Sequence, residues 1–293
     1  MFSAEIPHQT ASLKTLGDIL SKSEVNMENI NKLHDLTLKI KSIIYSLELK
    51  ENDVRKAYFE NLYSIVNEFY HGKVFFKISQ EIKNGTIKFD SNIIQLQPHI
   101  GRIYEIADHN LLSNAYHNEL NRKLFVDSFT NFETTISLCF EDIIDESSLN
   151  NIIKDLNRKL IQICKDLSDE AKESLLIELH KNAFIPLSRK FRFLSKLKEN
   201  CYLSDNKKDL EFIEFCSNLR NCVSHSAGYY KGKDFEYEFE NVKFIFKNET
   251  FLEMNGENDY VFLKINERLT NIIYALNNCL KEIEFIKYPD DGF

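Results

Sequence analysis

Chain breakers are scarce: 293 residues carry only 8 Gly and 4 Pro. That scarcity argues against a turn-rich all-β fold and, with abundant Leu, Ile, Lys, Glu and Asn, favours long helices. An excess of positive charge is also missing. Lys and Arg number 37 against 45 Asp and Glu, for a net charge of -8 and a pI near 5.6. The molecule as a whole is therefore not a polyanion-binding surface, and any nucleic-acid contact must be local. No CxxC pair occurs. The scattered Cys139, Cys164, Cys201, Cys216, Cys222 and Cys279 read as reduced, mostly buried thiols of a cytosolic protein. No apolar run is long enough to span a bilayer, and Met1 to Thr10 holds Glu5, Pro7 and His8 without a basic-then-apolar pattern. The expectation is a soluble, cytoplasmic chain.

Chemical signatures are equally sparse. A Gly-rich phosphate loop, a GxSxG turn and a dinucleotide fingerprint are all absent, so nucleotide hydrolysis and serine-hydrolase chemistry find no support. There is no internal repeat and no low-complexity tract. His8, His34, His71, His99, His109, His117 and His180 show no ligand spacing with Cys, Asp or Glu; His109 and His117, eight apart, lack a third partner. Neither metal nor cofactor is expected.

What is present is helical periodicity. With 43% hydrophobic and 28% charged residues the chain can bury a sizeable core. Apolar residues at three- and four-residue spacing predict helices over 27–49, 53–70, 112–144, 149–167, 168–180, 186–197, 207–225 and 266–286. Around Ile82 to Gly101 the pattern weakens at Asn84-Gly85 and Pro98, which sets a soft boundary. Residues 1–110 form an N-terminal helical region of unknown role, and 111–293 a second helical unit. After Gly228 the period drops to two: Phe235, Tyr237 and Phe239 alternate with glutamates, and Val242, Phe244 and Phe246 follow suit. A further strand is predicted from Tyr260 to Lys264 after an Asn255-Gly256 turn, giving a small antiparallel β insertion at about 234–264. The fold class is mainly α with this β insertion.

One constellation carries chemistry. Of eight arginines, only Arg220 has a histidine five residues on, in the run Arg220-Asn221-Cys222-Val223-Ser224-His225. Chance would supply roughly 0.2 such pairs, and about 0.02 with Asn directly after Arg. Phe212, Phe215, Cys216, Leu219, Cys222 and Val223 make one apolar stripe, which leaves Ser217, Asn218, Arg220, Asn221, Ser224 and His225 on the other face. A histidine titrating near neutrality can take a proton from a ribose 2′-hydroxyl or give one to a leaving 5′-oxygen. An arginine fork binds phosphate and stabilises the charge building on it, and Asn221 can orient the imidazole. Acid and base together need two such groups, which a two-fold dimer pairing this helix with its mate would supply.

The run resembles the motif of the HEPN superfamily, whose signature is Arg, four to six residues, then His, commonly with Asn after the Arg; Arg220, Asn221 and His225 match it residue by residue. The resemblance implies a bundle of four or five helices taking in about Ser113 to Lys287. It also implies a metal-independent endoribonuclease whose cleft is built by two protomers, with Arg220, Asn221 and His225 catalytic. Members of that family act in toxin–antitoxin, abortive-infection and other antiviral systems, so RNA, a homodimeric mate and an antitoxin or activating protein are the implied partners. The strands are an elaboration on that bundle, and residues 1–110 resemble no family. An intact motif also occurs in a domain that no longer cuts, so a catalytically inactive dimerisation or RNA/protein-binding module stands as the alternative.

Lesser signals surround the motif. Lys181, Arg189, Lys190, Arg192, Lys196 and Lys198 form a basic run with no acidic residue, interleaved with Phe184, Phe191 and Phe193. It reads either as an RNA-guiding surface, with Arg189, Lys190, Arg192 and Lys196 its members, or as an ordinary amphipathic helix whose aromatics pack inward. Glu133 reads either as an ordinary surface residue or as a partner of the Arg220 or His225 side chains, and Ser224 as a second supporting residue behind them.

Overall fold

A computed structural model describes residues 27–85, 110–163, 168–181, 184–225, 228–255 and 261–287. It is mainly helical with small antiparallel sheets towards the C-terminus. Helices α1 (Met27–Ser46), α2 (Val54–Lys83) and α3 (Asn110–Ile143) are followed by the shorter α4 (Glu146–Leu156), α5 (Arg158–Ile163), α6 (Asp169–Lys181) and α7 (Leu187–Leu194). Then come α8 (Asn206–His225), five strands and α9 (Val261–Cys279). α2 packs against both α1 and α3, while α3 also receives α7, α8 and α9. Phe125, Phe129, Phe132 and Phe140 therefore run through the centre of the molecule along one side of α3, each almost fully buried.

A single hydrophobic cluster extends from Leu33 on α1 to Ile286 beyond α9, so the N-terminal helices share their core with the rest of the chain. The tie between the two ends is ionic as well as apolar. Asp53 and Arg55, both buried, pair at 2.6 Å, and the Arg55 guanidinium also donates to the carbonyls of Leu280 (2.9 Å) and Ile283 (3.1 Å). Asp53 in turn accepts from the Ile286 amide, and the Val54 amide donates to the Ile286 carbonyl at 2.9 Å. Four hydrogen bonds thus hold the chain after α9 against the start of α2.

The strands are β1 (Tyr229–Tyr230), β2 (Phe235–Phe239), β3 (Val242–Phe246), β4 (Thr250–Phe251) and β5 (Glu253–Asn255). β1 pairs with β4, and β2, β3 and β5 form a three-stranded antiparallel sheet in that order. Phe239 faces Val242 across a two-residue turn in which Glu240 and Asn241 have φ of 50° and 64°. Positive φ at both positions gives a turn twisted in the same sense as the strands it joins. Alternation sends Phe244 and Phe246 inward, where Phe246 stacks on Phe235 at 4.2 Å and Phe215 of α8 stacks on Tyr237 at 4.4 Å. The sheet is thereby seated on the apolar side of α8.

Several sequence-based expectations are corrected. The strand placed at Tyr260 to Lys264 is helix from Val261 onwards, and residue 260 lies outside the described residues. A run of four apolar residues fits both periods, and here burial of Val261, Ile265, Leu269 and Ile272 selects the helical one. The described strands accordingly occupy 229–255 rather than 234–264, and Asn255 belongs to β5 instead of a turn. α9 ends at Cys279, not near Ile286, because Arg55 draws the Leu280 and Ile283 carbonyls out of the helical ladder. α2 continues to Lys83, and the segment expected as one helix over 149–167 breaks at Asn157, whose side chain donates to the Ile153 carbonyl at 2.9 Å. Finally, Cys201 and Cys279 are joined in a disulfide across 78 residues, against the reading of all six cysteines as thiols. Sequence spacing gives no sign of that pairing, since only the fold brings the two Cα atoms to 4.8 Å. Cys139, Cys216 and Cys222 are free and buried as expected, and Cys164 lies outside the described residues.

Replacing Arg55 with Met strands the buried Asp53 carboxylate, and is expected to cost about 3–5 kcal/mol in urea denaturation. The double variant Asp53→Asn with Arg55→Met should recover part of that loss, and equal destabilisation of both would show that the charge itself is not the cause.

Candidate functional site

The motif lies on α8, and the start of that helix is anchored first. Asp205 caps it: the Lys207 and Lys208 amides both donate to its carboxylate at 3.1 Å. The Lys208 amide above all holds the Asp205 carboxyl below its ordinary value, with the Lys208 charge adding to the effect. One turn on, Asp209 is completely buried and accepts from Tyr202 Oη (2.7 Å), Ser204 Oγ (2.7 Å) and the Arg268 guanidinium of α9. A buried carboxylate with so many donors is satisfied, and it fixes the helix start to both the preceding loop and α9. Burial, followed by the adjacent Asp209, raises the Tyr202 hydroxyl pKa well above its usual range, so Tyr202 stays a donor.

Packing sets the rotation of the helix about its axis. Phe212, Ile213, Phe215, Cys216, Leu219, Cys222 and Val223 are all buried, against α3, α7 and the sheet. Burial raises the thiols of Cys216 and Cys222, the latter to about 11, which leaves both as inert core groups. At the other end Gly228 donates to the Cys222 carbonyl at 2.7 Å. Its φ of 91° is a backbone state that glycine alone enters cheaply, and the chain turns there into β1.

The opposite face presents the motif residues. Arg220 is about one-quarter exposed, and its guanidinium lies 3.4 Å from the Glu133 carboxylate of α3 and 3.3 Å from Asn221 Oδ1. Asn221 is exposed one residue further on. Ser217 Oγ and Asn218 Nδ2 fold back onto the carbonyls of Ile213 and Glu214, each at 2.9 Å. Ser224 has a buried hydroxyl with no hydrogen-bond partner among the described residues. His225 closes the helix, four residues after Asn221 and therefore on the same side of the backbone, while its side chain is outside the described residues. The structure thus brings Arg220, Asn221 and Glu133 together, and places the His225 backbone one turn beyond them.

The basic run divides. Arg189 pairs with Asp155 at 3.0 Å, and Lys190 reaches Ser137 at 2.9 Å and Glu141 at 3.5 Å. Lys198 is bound to Glu282. Arg192 and Lys196 are exposed without an ion-pair partner among the described residues, and the Lys181 side chain is not described. Of the interleaved aromatics, Phe191 is fully buried and Phe193 packs edge-on against Phe140 at 5.4 Å, whereas Phe184 is 83% exposed. The inward packing of an ordinary amphipathic helix thus holds for Phe191 and Phe193, while Arg192 and Lys196 face solvent.

Sequence reasoning missed the knot around Asp209. An Asp in a first helical turn carries a weak dipole signal, but its partners Tyr202 and Arg268 come from segments seven and 59 residues away. A cavity of about 490 Å³ between the ends of α1 and α9, lined by Arg55, Tyr274, Asn277, Lys281 and Glu284 among others, shares no residue with the motif face. Among the described residues no cluster of three or more His, Cys, Asp or Glu side chains has the geometry of a metal site, and no helix is long and apolar enough to cross a membrane. Of the remaining histidines, His8, His99 and His109 fall outside the described residues, as do the side chains of His117 and His180. No family model, no curated protein and no solved structure matches the chain.

The cap makes a pH-dependent prediction. Because the Asp205 pKa is lowered on folding, its contribution is complete above the unfolded value near 3.8 and disappears as the pH falls through the native value. Asp205→Ala should lower the thermal midpoint at neutral pH, and its difference from wild type should shrink as the pH is taken below that value. A difference that stays constant throughout the acid range would assign the effect to something other than the carboxylate.

Proposed function

We propose that this protein is a metal-independent endoribonuclease of HEPN type, working as a homodimer in a toxin or anti-phage defence setting in the cytoplasm. The observation that carries the reading is the single polar face of α8, with Arg220 and Asn221 side by side and His225 one turn on, behind which the apolar stripe from Phe212 to Val223 is buried in the core. A functional face that is backed by a packed core holds its geometry without help from substrate.

In the proposed reaction the imidazole of His225 takes the proton from a ribose 2′-hydroxyl, and the 2′-oxygen attacks the adjacent phosphorus as the bond to the 5′-oxygen breaks. The leaving oxygen receives a proton from the His225 imidazole of the second copy. Products carry a 2′,3′-cyclic phosphate and a 5′-hydroxyl. Arg220, oriented by Glu133 and Asn221, binds the scissile phosphate and balances the charge that accumulates on its oxygens. The strip lies on the open side of one chain, so the cleft is composite and the second copy supplies its far wall. Arg192 and Lys196 are the members of the basic run available to guide RNA, since Arg189 and Lys190 are held in contacts within the chain. Ser224, whose hydroxyl has no partner among the described residues, lies next to His225 as a supporting residue.

The Arg220–Glu133 ion pair fits a second reading too, in which the arginine is structural and the domain binds RNA or protein without cutting. Labelled single-stranded RNA incubated in EDTA with wild type, His225→Ala and Arg220→Ala separates them. Wild type should cleave, and each variant should lose activity by at least about 100-fold, the usual contribution of a positioned acid or base for His225 and of a group stabilising transition-state charge for Arg220. Equal cleavage by all three eliminates the site, and no cleavage by wild type favours the binding module. A strictly monomeric protein in light scattering would remove the composite cleft.

A further inference from the structure

The Cys201–Cys279 pair joins two segments that other contacts already hold together. Cys201 sits in the loop between α7 and α8, and Cys279 is the last residue of α9. On one side of Cys201, Lys198 pairs with Glu282, just past Cys279. On the other, Tyr202 donates to Asp209 and packs edge-on against Phe191 at 5.4 Å. Buried Ser195 links the same loop to α8, since Asn206 Nδ2 donates to its hydroxyl at 2.7 Å. The Ser195 carbonyl oxygen lies 3.8 Å from the Cys201 sulfur and 4.0 Å from that of Cys279. Once the bond is opened, that carbonyl is placed to accept from either S–H group.

We propose that Cys201 and Cys279 form a reversible redox site that tightens the entry to α8 when oxidised. Reversibility follows from the scaffold: the ion pair, the Tyr202 contacts and the Ser195 bonds keep the two sulfurs adjacent whether or not they are linked. Access is one-sided, because Cys201 is half-buried and Cys279 only 4% exposed. The thiolate of a low-molecular-weight dithiol, or of a dithiol oxidoreductase, attacks the Cys201 sulfur. The bond to Cys279 breaks, and Cys279 leaves as a thiolate and takes up a proton. The second thiol of the reductant then displaces Cys201, so two electrons enter the protein and the reductant departs as its own disulfide. Cys139, Cys216 and Cys222 take no part, being buried singly in the core. The oxidised bond closes a loop of 78 residues that contains α8, the sheet and α9, and cross-links of that length restrict the unfolded chain strongly.

The test equilibrates the native full-length protein in glutathione buffers of graded redox poise, followed by alkylation, digestion and non-reducing peptide mapping. Cys201 and Cys279 should pass together between linked and free, with the melting temperature on the order of 5–10 °C lower in the reduced form. Cys201→Ser should melt at the reduced value in every buffer. A pair that stays linked until the chain is unfolded is a permanent cross-link and overturns the proposal, as does a pair that stays free in the most oxidising buffer. Should Cys201→Ser fail to fold, the mapping of the wild type decides alone. None of these outcomes depends on ribonuclease activity.

Discussion

A buried carboxylate governs the geometry of the motif helix. Asp209 has no contact with solvent, and its cost of desolvation is met only because Tyr202 and Ser204 of the preceding loop and Arg268 of α9 all donate to it. Such a group has few alternative placements: a helix that slid or rotated would leave an unpaired charge in the core. The constraint therefore specifies position more than it adds stability. Asp53 and Arg55 do the same for the chain after α9, which they pin to the start of α2.

With its first turn pinned in this way, α8 is sandwiched by apolar surface on one side only. Phe212 and Phe215 face the aromatic residues of the sheet, and Cys216, Leu219, Cys222 and Val223 enter the central core. Tertiary packing leaves one narrow polar strip. On it the guanidinium of Arg220 is steered by a carboxylate from α3, so the site joins residues of two helices before any second copy is considered. The strands are not peripheral to this arrangement, because Tyr237 and Phe244 provide much of the wall behind Phe215.

Legibility differed from residue to residue. The apolar stripe of α8 and the alternation in β2 and β3 were readable because each rests on a single period along contiguous chain. Arg220, Asn221 and His225 stood out for the same reason, being neighbours on one helix. The end of α9 at Cys279 and the helical state of 261–264 were not readable, since each is settled by contacts with distant segments or by burial, whereas the break at Asn157 is local, its side chain folding back onto the Ile153 carbonyl. Glu133 was legible as a possible partner of Arg220 or His225, but which side chain it meets, Arg220 at 3.4 Å across 87 residues, was settled only by how α3 packs on α8.

The amino-acid order alone determined the helical class, the position of the hairpin and the residues on each side of α8, because periodicity and turn chemistry are local properties of the backbone and its side chains. Tertiary structure decided the rest. It chose which carboxylate meets Arg220, which donors surround Asp209, which half of the basic run turns to ion pairs and which two of the described cysteines meet. Those choices depend on how separate helices are brought together, and the free energy that brings them together is shared by the whole core rather than encoded at any one position.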